Sequence, residues 1–354
     1  MKAHLPRLCF TAALLLACGP SIPVRFPHYP SSTGTQLRAV LDGKKTVGIV
    51  AARPPQNMLQ QIGYQEDWSR TVEAAVETEI VKREFYTLVD LSSRAERLRE
   101  LAHSQSGLTQ ESLAIGRELQ ASHLLVISMT NQPRSECTIQ NRTDVMATAL
   151  NLAMAASNDG QGAGAQEKPT AVMTVTVFVQ GRLINVETGQ SVSYATSTPA
   201  EHYNSVGDTN CPSVLAAFNK ALQQAAKDLA DNLSPRSITL NVPLMDDVDE
   251  VDEEDQEAVT DYLNSGNEWA EAADFERASR SWQRALSESR GQSVSAMWNL
   301  AVYNWYRGNY GEAENLFNRA LDSAGPSWLD GAKRELISAF NEDRCSVEGG
   351  PGCN

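Results

Sequence analysis

Six cysteines and five histidines are the side chains of this 354-residue chain best suited to nucleophilic, redox or metal chemistry. The histidines, His4, His28, His103, His123 and His202, are scattered, and none has a Cys or Ser at the spacing of a nucleophile and its base. His123, at the start of an apolar run, therefore reads as a structural hydrogen bonder. No two Cys or His residues stand at C-x-x-C or H-x-x-x-H spacing, so neither a metal nor another cofactor is expected. The sequence also lacks G-x-S-x-G, H-E-x-x-H and P-loop patterns. Gly160-Gln161-Gly162-Ala163-Gly164 offers backbone amides to a phosphate, but it follows no strand and opens no helix, so it reads as a flexible loop. The acidic run Asp246 to Glu257 offers oxygens to a hard cation but has no glycine where a calcium loop must bend. These readings predict a protein that is not an enzyme.

One cysteine has a different chemistry in prospect. Lys2 and Arg7, an apolar run from Leu8 to Ala17 and small residues around Cys18 form a leader too short to span a bilayer permanently. Leu15-Leu16-Ala17-Cys18-Gly19 resembles the lipobox of bacterial lipoproteins. That resemblance implies cleavage before Cys18, diacylglycerol (with palmitate-type chains) on its sulfur and acylation of the new amino terminus. Residues 1–17 would then be the signal peptide, and membrane attachment would follow from several buried acyl chains at roughly 0.8 kcal/mol per methylene. Gly19 after Cys18 is compatible with outer-membrane sorting, so an outer-membrane, periplasm-facing address is expected.

Cys9 leaves with the leader, which leaves Cys137, Cys211, Cys345 and Cys353 in an oxidising compartment. Four thiols admit three pairings, of which Cys137 with Cys211 and Cys345 with Cys353 is the one favoured. The net charge of −14 argues against a nucleic-acid partner. Nine acidic side chains fall between Asp246 and Glu257 with no basic one, so residues 237–257 read as an acidic, self-repelling linker. Residues 18–43, rich in Pro and Ser without an apolar period, read as a tether.

Between these segments the pattern is that of a layered α/β domain over 44–236. Thr46 to Ala51, Phe85 to Asp90 and Ser122 to Met129 read as strands. Trp68 to Glu84 carries an apolar face at three- and four-residue steps, and shorter helical patterns cover 94–102 and 110–119. Residues 131–169 read as an insertion with an Ala-rich helical run from Asp144 to Ser157. The domain resumes with Ala171 to Ile184, a turn at Glu187 to Gln190, a returning strand and a closing helix from Val214 to Leu233. The expected fold is thus α/β with a mixed sheet. The run Val47-Gly48-Ile49-Val50, the helix into Tyr86-Thr87-Leu88-Val89, the strand from Glu118 to Thr130 and the segment Val175 to Val192 resemble the periplasmic domain of curli-secretion lipoproteins, the CsgG-like family, with a related fold in the N-terminal domain of TolB.

Beyond the acidic run the chain repeats. Ala273 to Leu286 matches Gly308 to Leu321, with Ala278 and Ala313, Ala285 and Ala320, and Trp282 and Phe317 at equivalent places. This resembles tetratricopeptide repeats, whose period is roughly 34 residues. An all-α repeat domain over 258–341 is expected, with Trp328 to Phe340 as a capping helix and 342–354 as a Cys-containing tail. The resemblance implies a groove lined by the first helix of each pair, where Asn264 and Asn299 are equivalent and an asparagine can grip a peptide backbone through donor and acceptor together. Tyr303 and Arg307 lie nearby. Leu263 and Glu268 stand where a carboxylate clamp of that family needs basic side chains, so this subtype is not expected.

Together these readings predict a lipid-anchored scaffold or assembly factor that binds envelope proteins or peptide segments, with self-association possible. The alternative is an oligomeric secretion channel or accessory of the curli type, which requires membrane hairpins with strands of about 9 to 11 alternating residues.

Overall fold

A computed structural model describes residues 21–60, 62–64, 67–91, 120–149 and 165–348. The helical patterns at 94–102 and 110–119, the Gly160 to Gly164 loop, Cys18 and Cys353 lie outside them. The chain divides into two compact units, residues 29–236 and residues 21–28 together with the chain from 237 onward.

The first correction concerns the tether expected over 18–43. Its described part is folded, as strand β1 (Ser21–His28) and helix α1 (Gly34–Leu41). In β1, Ile22, Val24 and Phe26 are buried while Ser21, Pro23 and Arg25 between them are exposed, a period of two masked by the prolines. A strand of a two-stranded sheet has a free edge, where a residue without an N–H does little harm.

The unit of residues 29–236 is built on a five-stranded mixed sheet of β2 (Thr46–Ala51), β3 (Thr87–Leu88), β4 (His123–Thr143), β5 (Glu167–Asn185) and β6 (Ser191–His202), in the order β3-β2-β4-β5-β6. β2 runs parallel to β3 and β4, and the β4-β5 and β5-β6 pairs are antiparallel. A short helix α2 (Gln56–Gln60) precedes α3 (Trp68–Val81), which starts where Asp67 accepts hydrogen bonds from the Ser69 and Arg70 amides. α4 (Val214–Leu233) packs with α3 over the sheet.

Alternation along β5 puts Val175, Val177, Val179 and Leu183 under α4, all 1% exposed or less. Each contributes about 1.5–3 kcal/mol by leaving water. Gly181 sits in the same row because a Cβ there would lie 2.5 Å from a Leu233 methyl. At the start of β4, buried His123 hydrogen-bonds the Val40 carbonyl through Nε2 at 3.0 Å and Ser122 Oγ through Nδ1 at 2.8 Å. Burial pushes its pKa down.

The second correction concerns residues 131–169. β4 continues to Thr143 and β5 begins at Glu167, so both ends of the expected insertion, 131–143 and 167–169, are strands of one long hairpin. Of the helical run expected from Asp144, residues 145–149 are helical and the rest lies outside the described residues. Cys137 on this hairpin is bonded to Cys211, with their Cα atoms 6.0 Å apart.

The other unit contains five α-helices among its described residues: α5 (Gln256–Glu271), α6 (Phe275–Glu288), α7 (Val294–Tyr306), α8 (Tyr310–Ala324) and α9 (Gly331–Glu348). Equivalent turns join α5 to α6 and α7 to α8, each with a left-handed residue, Ala273 at φ 61° and Gly308 at φ 74°. Ala278, Ala285, Ala313 and Ala320 are fully buried, which permits close helix approach, and Trp282 and Phe317 fill equivalent places. Gly266 makes room for Trp282, since a Cβ on it would lie 2.3 Å from the indole nitrogen.

Two further boundaries move. The residues expected to form an acidic linker, 237–257, contribute to β7 (Arg236–Pro243), which pairs with β1, and then bury Leu244 and Val251. Three of their nine carboxylates are reached by the Arg290 guanidinium, those of Asp252, Glu254 and Asp255 at 3.4, 2.9 and 3.2 Å. The tail expected from 342 is helical to Glu348 and carries buried Asp343.

Candidate functional site

The clearest recognition chemistry lies on α5 and α7. Asn299, fully buried, accepts the Met245 amide on Oδ1 at 2.9 Å and donates from Nδ2 to the Met245 carbonyl at 2.8 Å. Asn267 donates to the same carbonyl at 3.3 Å. Two flanking side chains continue the grip: Trp298 Nε1 donates to the Pro243 carbonyl at 3.1 Å and Ser295 Oγ to that of Asp247 at 2.7 Å. All of these contacts are to main-chain atoms of residues 243–247, so they hold that segment by its backbone rather than by a particular side chain.

The asparagines are themselves held. Asn267 Oδ1 accepts from Trp282 Nε1 at 3.0 Å and from Asn299 Nδ2 at 3.1 Å. These bonds fix which end of each amide is donor and which acceptor. The segment so held is the chain's own, and Val242 and Leu244 on it are buried.

Of the residues expected to line a groove, only Asn299 takes part in this grip. Asn264 is exposed on α5. Tyr303 donates to Glu276 Oε2 at 2.9 Å and Arg307 pairs with Glu276 Oε1 at 3.1 Å, so both tie α7 to α6. Burial and the Glu276 carboxylate raise the Tyr303 pKa. Asn267, Trp298 and Ser295 were missed. The signal for Asn267 was helix phase: it lies four residues after buried Leu263 and follows Gly266 on the apolar side, whereas Asn264 is turned out. The repeat offset alone selects Asn264.

A second polar cluster in this unit centres on Asp343, 1% exposed. Its Oδ2 accepts from Trp305 Nε1 and Tyr310 Oη, each at 2.8 Å, and its Oδ1 lies 3.1 Å from His28 Nδ1. Phe26 stacks on Trp305 with ring centroids 4.0 Å apart. β1 is thereby fastened to α7 and α9 by the Phe26 ring, which also meets Tyr306 edge-on, and by one carboxylate. Cys345 lies on α9, and the Cys353 expected to pair with it lies outside the described residues.

Among the described residues, no group of three or more His, Cys, Asp or Glu side chains could hold a metal ion, and no helix is long and apolar enough to cross a membrane.

No family model and no curated protein matches the chain. Among solved structures, the hypothetical protein CT253 from Chlamydia trachomatis is similar over 54% of this chain and 98% of its own, at 7% identity and a TM-score of 0.30. A PelC dodecamer from Paraburkholderia phytofirmans is similar over 62% of this chain and 99% of its own, at 11% identity and a TM-score of 0.27.

Proposed function

We propose that the chain is a non-enzymatic outer-membrane lipoprotein, anchored through Cys18, that serves as a scaffold or assembly factor in the cell envelope. Its helical unit, read as tetratricopeptide-like, carries the partner surface, and its α/β unit, read as CsgG-like, supplies the body. The observation that carries this reading is the grip of Asn299 and Asn267 on the backbone of Met245. A helix face that clamps main chain is built for protein segments, not for turnover of a small molecule. Because that face is filled in cis, a partner meets the exposed flank of α5, with Asn264 and with Trp269 stacked under Arg277 at 4.6 Å.

The test keeps the whole chain, since cutting it after Leu244 would strip β1 of the helices it packs on. A photo-crosslinking residue is placed at Asn264 or Trp269, and metabolic acyl labelling compares the native chain with Cys18→Ala. Acyl label lost with Cys18→Ala, together with a discrete envelope protein crosslinked from α5, supports the reading. Label that persists, or crosslinks to no other protein, overturns it.

The long β4-β5 hairpin favours a second reading, the oligomeric secretion channel. Ile139, Val145 and Met146 on or next to it are 57%, 75% and 87% exposed. Against it, β4 from Arg134 to Thr143 has polar residues on both faces, with Ile139 the one large apolar side chain, where a lipid-facing strand needs an apolar row. Sustained ion conductance of the purified protein in planar bilayers would establish the channel.

A further inference from the structure

The strongest unassigned feature is a cleft of 540 Å³ in the α/β unit, lined by Ile62, Asn131, Gln132, Pro133, Arg134 and Ser135. It exists because β4 is irregular there. Between Met129, opposite Val179, and Arg134, opposite Thr176, four residues on β4 face two on β5, with register shifts on both sides of Asn131. Extra residues of this kind lift a strand out of its ladder and re-aim its side chains, a device common beside binding sites.

The lining has a definite chemistry. Arg134, Asn131, Gln132 and Ser135 together offer a guanidinium, two carboxamides and a hydroxyl, and no side-chain hydrogen bond ties any of them to another described residue. Ile62 and buried Pro133 supply an apolar wall. Arg134 is positioned by the Phe178 ring, its guanidinium carbon 5.4 Å from the ring centroid. No described carboxylate lines the cleft, although the chain carries a net charge of −14. The volume lies within the range of small-ligand pockets, roughly 300–1,000 Å³.

We infer that this bulged cleft binds a carboxylate with a small apolar body, either a free short-chain acid or the C-terminal residue of a peptide. Arg134 takes the carboxylate through its paired N–H groups. Asn131, Gln132 and Ser135 complete the hydrogen bonds, and Ile62 and Pro133 cover the apolar part. A single guanidinium balances the one negative charge of a carboxylate, whereas a phosphate dianion in a strongly acidic protein calls for a second cation. The lining residues all belong to the unit of residues 29–236, and the inference does not rest on the function proposed above.

The test is calorimetric titration of the full chain with N-acetyl-Ala-Ala, its C-terminal amide, butyrate and inorganic phosphate. Saturable binding of N-acetyl-Ala-Ala, weakened at least tenfold by Arg134→Gln and about threefold by Asn131→Ala, and absent for the amide, is the expected result. Both side chains are exposed, and an unchanged circular dichroism spectrum with the Cys137–Cys211 bond intact shows that each variant folds. Butyrate binding as well assigns the site to small carboxylates in general, and its absence assigns it to peptide ends. No saturation by either carboxylate at millimolar concentration, equal binding of the amide, indifference to Arg134→Gln, or binding of phosphate alone overturns the inference.

Discussion

Asn299 holds Met245 with both ends of one carboxamide, Oδ1 on the amide at 2.9 Å and Nδ2 on the carbonyl at 2.8 Å. Removing that carboxamide leaves two part-buried main-chain groups with fewer partners and opens a small void around buried Asn299. Asn299→Ala is expected to destabilise the helical unit by about 2–4 kcal/mol, and Asn264→Ala, at the equivalent repeat position but exposed, by less than about 0.5 kcal/mol. Urea denaturation followed by tryptophan fluorescence measures both, and equal costs would refute the assignment of the grip to Asn299.

His123 supplies a pH dependence with a definite sign. Burial holds its folded pKa below the ordinary histidine value, so the unfolded chain takes up the proton first as pH falls. Its contribution is therefore fully present above the unfolded pKa and is lost as pH drops from there towards the depressed folded value. Thermal melts at pH 7.5 and 5.0 should show a fall in the transition of the α/β unit that is smaller in His123→Gln. An identical fall in the variant would mean that other groups carry the dependence.

Gly266→Ala tests the closeness of α5 and α6. The added methyl would meet the Trp282 indole at 2.3 Å, and Trp282 is itself 1% exposed and hydrogen-bonded to Asn267. A loss of about 1–3 kcal/mol is expected from overpacking, with a shift in tryptophan emission as the ring moves. Gly311→Ala, whose Cβ would meet nothing within 4 Å, is the control and should be neutral or slightly stabilising.

The Cys137–Cys211 bond closes a sequence separation of 74 residues. Replacing both cysteines by serine is expected to cost the α/β unit about 3–4 kcal/mol, by restoring freedom to the unfolded chain. Comparison of urea midpoints with and without the bond measures it, and peptide mapping without reductant checks the pairing.

The parts legible in the sequence are those where one periodicity dominates. α4 is bounded at Val214 and Leu233 because Ala217, Phe218, Ala221, Leu222, Ala225 and Leu229 recur at helical steps on its buried side. β5 is legible because burial alternates from Met173 to Leu183. β1 was hidden because proline interrupts its alternation, and its partner strand lies more than 200 residues away. The outer half of β4 was hidden because Arg134, Glu136, Gln140 and Arg142 leave no apolar trace, while the buried residues at that end of the hairpin, Ala171, Val172, Met173 and Val175, lie on β5. At the backbone grip, the repeat offset identified Asn299 but could not identify Asn267, since side chains on neighbouring helices meet according to helix phase and stagger.

His28 and Asp343 are 315 residues apart, yet they belong to the same compact unit. A chain delivered from its amino terminus therefore exposes Ile22, Val24 and Phe26 long before β7 and the helices that cover them arrive. Residues 29–236 can fold in that interval and bring the two ends of the split unit closer, which lowers the entropy of the closing loop. Until then β1 is an unpaired apolar strand edge, the kind of surface that chaperones and wrong partners both seize. The last residues to arrive decide whether the first ones are safe.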